Sequence, residues 1–257
     1  MRHFLFAGQD ILVGREPALE GPPDSVASAS LGRRDFEQDG QRYVAWMLDD
    51  PGAEAALSPG LRRITLRDAL AEFPADQMKP ALRGIALLRW LETARFCGAC
   101  GSPLADKDDA GEDSGGRFCA SCGRVHFPRI SPAVIVLIRK GPHALLAHNA
   151  RFRGGFFGLI AGFVEAGETL EEAAVREARE EAGIEIHRLR YAKSQPWPFP
   201  DSLMVAFHAE WASGEARPDG VEIAELRWCL PDELPNIPPK GSVARYLLDE
   251  FAKAPAT

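Results

Sequence analysis

The chain has 257 residues, a formal net charge of -7 at pH 7 and a hydrophobic content of 46%. This length accommodates one large domain or two modest ones with a small insert, and the composition is ordinary for a globular protein. The negative charge argues against a protein that holds long nucleic acid mainly through its overall field, although local basic patches stay compatible with it. No apolar run approaches the ~20 residues of a membrane span, and Asp10 interrupts the N-terminal stretch before a signal-peptide core could form. We therefore predict a cytoplasmic protein with no membrane association.

The first part of the chain alternates short strand-like runs with loops rich in proline and glycine. The apolar runs are Phe4–Phe6, Ile11–Val13 and Tyr43–Leu48. From about Pro80 to Arg95, leucine and isoleucine recur at helical spacing, with Pro80 suited to the first turn of a helix. This part of the sequence shows no group of residues typical of a catalytic site. Residues 1–94 are therefore predicted to form an α+β domain for packing or dimerisation.

Four of the five cysteines form two Cys-x-x-Cys pairs. They are Cys97, Cys100, Cys119 and Cys122. This spacing is typical of a tetrahedral Zn²⁺ site, and four thiolate ligands leave no coordination position open for chemistry. We predict one structural Zn²⁺ per chain in a ribbon over residues 95–128, with an oxidised or metal-free pair, or another metal, as the alternative. The acidic segment Asp106–Gly116 is predicted to be a flexible tip, and Cys229 a small buried hydrophobic residue.

The remaining residues, 129–257, alternate apolar runs with polar turns and two helical segments. Ala133–Ile138 is typical of a central strand, and the turn after it predicts a hairpin to Ala144–Ala147. Further strands are predicted in Phe157–Val164, in Leu203–Trp211 and after Glu222. Ser242 is predicted to cap a closing amphipathic helix.

The acidic stretch Gly162–Ile184, GFVEAGETLEEAAVREAREEAGI, begins at the end of the predicted strand Phe157–Val164 and precedes the predicted strand Leu203–Trp211. Thr169 followed three residues later by Glu172 predicts a capping box at a helix N-terminus. Gly183 predicts the C-terminal end of that helix.

Three carboxylates share one edge of this predicted helix, because Glu177, Glu180 and Glu181 are related by helical periodicity. Like charges at this spacing repel one another, and a hard divalent cation with oxygen ligands relieves the repulsion. Mg²⁺ fits best where the substrate brings phosphates. A solvated acidic helix face is the alternative interpretation. Arg176 is available to pair with Glu168 and fix the preceding loop, the alternative being an ordinary exposed salt bridge.

The segment resembles the Nudix box, whose fixed positions are all present. They are Gly162, Glu168, Arg176, Glu177, Glu180, Glu181, Gly183 and Ile184. One departure is Ala178, where the family usually carries a larger aliphatic residue, and this should loosen packing more than chemistry. The resemblance implies an α/β/α sandwich with a mixed sheet that hydrolyses a nucleoside diphosphate linked to another group, using Mg²⁺ or Mn²⁺.

Ten residues beyond the helix, three prolines surround two aromatic residues in SQPWPFPDS, residues 194–202. Such a stiff segment suits a presented edge, either as a wall against which a base stacks or as a proline-rich structural loop. The motif resembles the signature of the NADH pyrophosphatase subfamily, whose members are also described as removing NAD caps from RNA. That subfamily has the same order of variable N-terminal domain, four-cysteine ribbon and Nudix domain. Phe127 departs from its pattern, which has an aromatic residue with a hydroxyl group there.

The resemblance also implies site residues. The catalytic set is Glu168, Arg176, Glu177, Glu180 and Glu181, and the Mg²⁺ or Mn²⁺ ligands are Ala161, Glu177, Glu181 and Glu222. Candidate substrate-binding residues are Phe127, Phe163, Gln195, Trp197, Ser202, Met204 and Ala244. Glu180 has the open role of ligand or general base. Phe127, Phe163 and Trp197 are candidates to sandwich a base, since aromatic stacking is worth ~1 to 3 kcal/mol per base.

The activity implied is hydrolysis of NADH or NAD⁺ to nicotinamide mononucleotide and AMP, or of NAD-capped RNA to 5′-monophosphate RNA, by a homodimer. Two alternatives stay open. One is a Nudix hydrolase for another substrate such as ADP-ribose. The other is a non-catalytic sensor whose ribbon binds RNA through a basic patch of Arg117, Arg124, His126 and Arg129, although a sensor has no need of the intact glutamates.

Overall fold

The computed structural model describes residues 1–22, 26–57, 60–106, 116–150 and 155–253, which divide into two compact units, Met1–Arg129 and Ile130–Thr257. In chain order, the first unit contains β1 (Arg2–Ala7), β2 (Asp10–Val13), α1 (Val26–Ala29), β3 (Ser30–Gln38), β4 (Gln41–Leu48), α2 (Asp50–Ala56), β5 (Arg62–Thr65), α3 (Leu66–Glu72), α4 (Ala75–Thr93), β6 (Ala105–Asp106), β7 (Arg117–Phe118) and β8 (Val125–His126). Among the described residues, no helix combines the length and the apolarity needed to cross a membrane.

The first unit is built on a five-stranded sheet in the order β3-β4-β1-β2-β5. Strand β1 pairs in parallel with β4, and the other pairs are antiparallel. The three predicted apolar runs lie in β1, β2 and β4, so those strand predictions are confirmed. Their inward side chains, such as Leu5, Leu12 and Val44, form a buried core.

The helix predicted to begin near Pro80 begins at Ala75, so that predicted start is wrong. Pro80 lies inside α4, where its ring removes one backbone hydrogen bond. The helix continues through it because Met78, Leu82 and Ile85 bury a common apolar face.

A three-stranded sheet in the order β6-β7-β8 forms the ribbon. Its small core consists of Cys97, Leu104 and Cys119. The predicted flexible tip, Asp106–Gly116, falls mostly on residues 107–115, which lie outside the described residues.

The second unit contains β9 (Ser131–Lys140), β10 (His143–Asn149), β11 (Ile160–Phe163), α5 (Leu170–Ala182), β12 (Glu185–Trp197), β13 (Ser202–Ser213), β14 (Ile223–Cys229) and α6 (Val243–Lys253). Its sheet has the order β12-β13-β9-β10-β14, with β11 paired to β9. The sheet is mixed, because β13 and β9 are parallel while β9 and β10 form the predicted antiparallel hairpin.

Strand β9 shows why two helices cover this sheet. Its side chains alternate between faces, so Val134 and Val136 join the core under α5, whereas Ile135 and Leu137 join the core under α6. A strand buried on both faces is the near-continuous apolar run that the sequence displays. The predicted α/β/α sandwich with a mixed sheet is confirmed. Cys229 is 6% exposed in the core under α6, as predicted.

Candidate active site

Helix α5 begins and ends where the local sequence predicts. The Thr169 hydroxyl accepts a hydrogen bond from the Glu172 N–H, the Glu172 carboxylate accepts from the Thr169 N–H, and Gly183 ends the helix with φ of 67°. The face turned to the sheet consists of fully buried alanines. They are Ala173, Ala174, Ala178 and Ala182. Such small side chains let the helix axis approach the sheet closely, so the carboxylates on its edge reach β11.

Two of these carboxylates are buried against β11. Glu177 is 8% exposed and Glu181 is 5% exposed. The Ala161 N–H donates to Glu181 Oε2 at 3.3 Å. Glu177 lies against Gly162 so closely that a Cβ added there would overlap its carboxylate. Glycine is required at position 162 because a side chain there would block this approach. The backbone dihedral angles of Gly162 are not the reason.

Arg176 joins the loop before α5 to the acidic edge. Its guanidinium donates to both Glu168 oxygens, at 2.6 and 3.0 Å, and to the Phe163 carbonyl at 2.8 Å. It also donates to Glu177 at 2.8 Å and to Glu180 at 2.9 Å. The predicted pairing with Glu168 is therefore found, within a network of three carboxylates and not as an isolated surface pair.

The electrostatics of the edge favour an additional cation. Burial, together with the nearby charges of Glu177, Glu222 and Asp219, raises the pKa of Glu181 to about 8, although the hydrogen bond from the Ala161 N–H acts in the opposite direction. Burial, opposed by Arg176, also raises the pKa of Glu177. Arg176 donates to Glu177, whereas Glu181 accepts from the backbone N–H of Ala161. The two buried carboxylates therefore offer oxygen ligands of the kind that suit a divalent ion.

Glu222 stands immediately before β14 and is exposed. Its charge is one of the lesser causes of the raised pKa of both Glu177 and Glu181. The sequence analysis missed the residue that organises this turn. Asp219 accepts hydrogen bonds from the N–H groups of Val221, Glu222 and Ile223, at 3.2, 3.2 and 2.8 Å. The Asp219-Gly220 dipeptide, a turn signal, could have revealed it.

The proline-rich motif forms the end of edge strand β12 and the turn into β13. Gln195 donates from Nε2 to the Gly241 carbonyl at 2.7 Å and accepts at Oε1 from the Val243 N–H at 2.7 Å. The ring centroids of Trp197 and Phe199 are 4.9 Å apart. The motif therefore holds the N-terminus of α6 through Gln195, and it carries a pair of neighbouring aromatic rings.

The other substrate-binding candidates differ in burial. Ser202 is buried opposite Trp197, while Met204 and Ala244 pack partly buried against the core under α6. Phe163 is 55% exposed at the end of β11. Phe127 belongs to the first unit and is 62% exposed.

The four paired cysteines converge on one point. Their Sγ atoms lie within 4.8 Å of one another, with 3.7 Å between Cys97 and Cys122 and 3.5 Å between Cys100 and Cys119. A tetrahedron with Zn–S bonds of about 2.3 Å has sulfur–sulfur edges of about 3.8 Å, so this cluster can hold such an ion. Hydrogen bonds from Ser102 lower the pKa of Cys100 to about 6, which favours the thiolate. His126 Nε2 lies 3.2 Å from Cys97 Sγ.

Two of the four residues in the basic patch predicted to bind RNA, Arg117 and His126, make contacts within the ribbon. Arg117 donates to the carbonyls of Ala94 and Leu104, at 2.7 and 2.9 Å, and lies 3.2 Å from Asp106. Its side chain is 17% exposed. With His126 directed to Cys97, two of the four residues face inward.

A mixed sheet between two helices, with buried carboxylates on the edge of one helix, defines the class of Nudix domains. Residues 129–251 match the NUDIX domain family. The crystal structure of a NUDIX hydrolase from Nitrosomonas europaea superposes with a TM-score of 0.52 at 25% identity, over 62% of this chain and 89% of that chain.

Curated relatives give the narrower assignment. The NAD-capped RNA hydrolase NudC of Stutzerimonas stutzeri (strain A1501) is 42% identical over 213 residues, 83% of this chain and 74% of that protein. The protein of the same name from Chromobacterium violaceum is 41% identical over 227 residues, 88% of this chain and 82% of that protein. The chain belongs to the NudC family of Nudix hydrolases.

Proposed function

We propose that the protein hydrolyses the pyrophosphate bond of NADH and NAD⁺, giving nicotinamide mononucleotide and AMP. We further propose that it removes the NAD cap from RNA, leaving a 5′-monophosphate. In each case water adds to one phosphorus, the bridging P–O bond breaks, and two monophosphates result. The observation that carries the proposal is the pair of buried carboxylates Glu177 and Glu181, in a chain whose relatives are named for hydrolysis of NAD-capped RNA.

The divalent ions would be held by Glu177, Glu181 and Glu222, with the Ala161 carbonyl as a further ligand. When bound, Mg²⁺ or Mn²⁺ neutralises charge on the phosphoryl oxygens and acidifies the attacking water. Arg176 keeps Glu177 and Glu180 in place, and Glu168 anchors the loop through Arg176. The side chain of Glu180 is 59% exposed, which suits a group that takes a proton from water.

The dinucleotide would lie beside the N-terminus of α6. Gln195 holds that helix terminus, and Ala244, Met204 and Ser202 would line the pocket beside it. Trp197 and Phe163 present ring surface on which a base can stack. Phe127 is a further stacking candidate from the first unit.

Three further properties belong to the proposal. The Cys97, Cys100, Cys119 and Cys122 cluster would hold one structural Zn²⁺, as the sulfur spacing supports. By likeness to the subfamily, the chain would form a homodimer and act in the cytoplasm. Residues 1–94, 95–128 and 129–257 would be its N-terminal domain, ribbon and Nudix domain.

The proposal is tested by giving the purified protein NADH, ADP-ribose and NAD-capped RNA, each with Mg²⁺ and with Mn²⁺, and identifying the products. We expect turnover of NADH and capped RNA to exceed that of ADP-ribose. Preferential cleavage of ADP-ribose would favour the other Nudix substrate, and turnover of none of the three would favour a sensor.

Glu181→Gln is the matched catalytic test, because it replaces an ionisable carboxylate with an amide and keeps the side-chain shape. We expect kcat for NADH to fall at least about 100-fold. Glu171→Gln, an exposed position on the same helix, is the control and should stay within about twofold of wild type. Turnover of Glu181→Gln within a few-fold of wild type would count heavily against the proposed site.

A further inference from the structure

A basic groove lies at the far end of the Nudix sheet, and the proposed chemistry makes no use of it. Its volume is about 480 Å³, and it opens where β9 and β13 end beside edge strand β12. The charged and titratable side chains that line it are Arg139, Lys140, Arg188, Arg190, His208 and Glu210.

The groove is strongly positive for a chain with a formal net charge of -7. Four guanidinium or ammonium groups line it against one carboxylate. That carboxylate, Glu210, accepts from Arg188 at 3.0 Å. His208 lies 3.4 Å from Glu250 of α6. The remaining cations give a local field that attracts anions.

Two details of the backbone and packing fix the positions of cations in this groove. Arg188 has φ of 53°, a left-handed conformation, at an irregularity in the pairing of β12 with β13. Such irregularities redirect a side chain and recur beside functional sites. Arg139 packs over the Phe251 ring, and its Nε is buried with no hydrogen-bond partner among the described residues.

The groove is too far from the carboxylates to bind the two phosphates that react. Ala161 pairs with Ile135 of β9, and Arg139 stands four residues further along that strand, about 13 Å away. A dinucleotide has both of its phosphates at the scissile bond, so it brings no charge to the groove. An RNA chain attached to the dinucleotide brings one phosphate per nucleotide.

We propose that this groove binds the phosphodiester backbone of the RNA that follows the NAD cap. The inference rests on the proposed activity toward NAD-capped RNA. It makes Arg188 and Arg190, together with Arg139 and Lys140, determinants of preference for capped RNA over the free dinucleotide.

The test compares two double variants that remove the same charge. Arg188→Gln with Arg190→Gln changes the groove, while Arg42→Gln with Arg217→Gln changes two exposed arginines elsewhere. The probe is an unstructured RNA of about 20 nucleotides with a 5′-monophosphate. Its binding is measured by fluorescence anisotropy without divalent cations, at several KCl concentrations. NADH turnover of each variant reports an intact fold.

For the groove variant we expect the Kd for RNA to rise about tenfold. We also expect the slope of the log association constant against log salt concentration to fall in magnitude by about 1.4, because two phosphate contacts on a single strand are lost. NADH turnover should stay within about twofold of wild type, and kcat/KM for NAD-capped RNA should fall. RNA affinity equal to that of the control variant would overturn the proposal. If the double variant loses NADH turnover, Arg190→Glu replaces it, and unchanged RNA affinity in that variant overturns the proposal equally.

The binding assay involves no hydrolysis, so it separates this inference from the proposed function. Loss of RNA binding in the groove variant of a protein that cleaves neither NADH nor capped RNA would support the groove and refute the activity. If the wild-type enzyme is active and the groove variant binds RNA normally, the proposed activity is supported and the groove proposal is refuted.

Discussion

At the residue scale, the acidic edge depends on a contact between a side chain and a backbone 15 positions away along the chain. The Glu177 carboxylate occupies the space where a side chain at position 162 would start. This places the carboxylate against β11, where Glu181 also meets the Ala161 N–H. A change of a single methyl group therefore acts directly on the proposed ligand set.

We predict that Gly162→Ala displaces the Glu177 carboxylate and lowers kcat for NADH by about 100-fold, as expected for a misplacement of about 1 Å. Binding of Mn²⁺, measured by electron paramagnetic resonance, should weaken in parallel. Gly158→Ala is the matched control, because a Cβ there would meet no described atom within 4 Å. Equal kinetics for the two variants would show that the close approach has no catalytic importance.

At the element scale, the ribbon has too small a core to hold its fold by apolar burial. Among the described residues, its buried core consists of Leu104 and two of the cysteines, with Ala94 packed against it. Four sulfurs held this close favour a bound cation, since the thiolate forms repel one another without it. The Nudix elements differ, because α5 and α6 each cover a continuous apolar layer of the sheet.

We predict that a strong zinc chelator makes four thiols accessible to a thiol reagent, because the ribbon opens when its ion is removed. The thiols are those of Cys97, Cys100, Cys119 and Cys122. Cys229 should stay unreactive because it is 6% exposed in the core under α6, and Cys229→Ala should give the same count. Thiol reactivity that does not change on chelation would argue against a structural metal.

At the scale of the whole molecule, the buried carboxylates connect the site to global stability. Glu181 has a pKa of about 8 in the folded chain and an ordinary value of 4.5. Between these values the folded state holds a proton that the unfolded state has released. Its stabilising contribution is complete below about pH 4.5 and is lost as pH rises through about 8.

We predict that, without Mg²⁺ or Mn²⁺, the free energy of unfolding falls between about pH 5 and pH 9, by at most a few kcal/mol from this group. Glu181→Gln should flatten this dependence, and added Mn²⁺ should restore stability at the alkaline end. Thermal unfolding of both proteins across this range is the measurement. A wild-type profile that coincides with that of Glu181→Gln would contradict the pKa shift.

The amino-acid sequence by itself determined what depends on neighbours along the chain. The capping box of Thr169 and Glu172, the end of α5 at Gly183 and the convergence of paired cysteines follow from local geometry. Helical periodicity likewise placed the three glutamates on one edge, and the nearly continuous apolar run Ala133–Ile138 predicted the buried strand β9.

Only the tertiary structure decided what depends on which strands meet. Gly162 faces Glu177 because β11 pairs with β9 under α5, and Gln195 binds Val243 because α6 lies on the opposite face of the sheet. The inward use of Arg117 and the basic groove also arise from residues distant in sequence. Contacts of this kind leave no periodic pattern in the local sequence, because they join residues that are far apart along the chain. Their free energy is gained only when separate elements pack together.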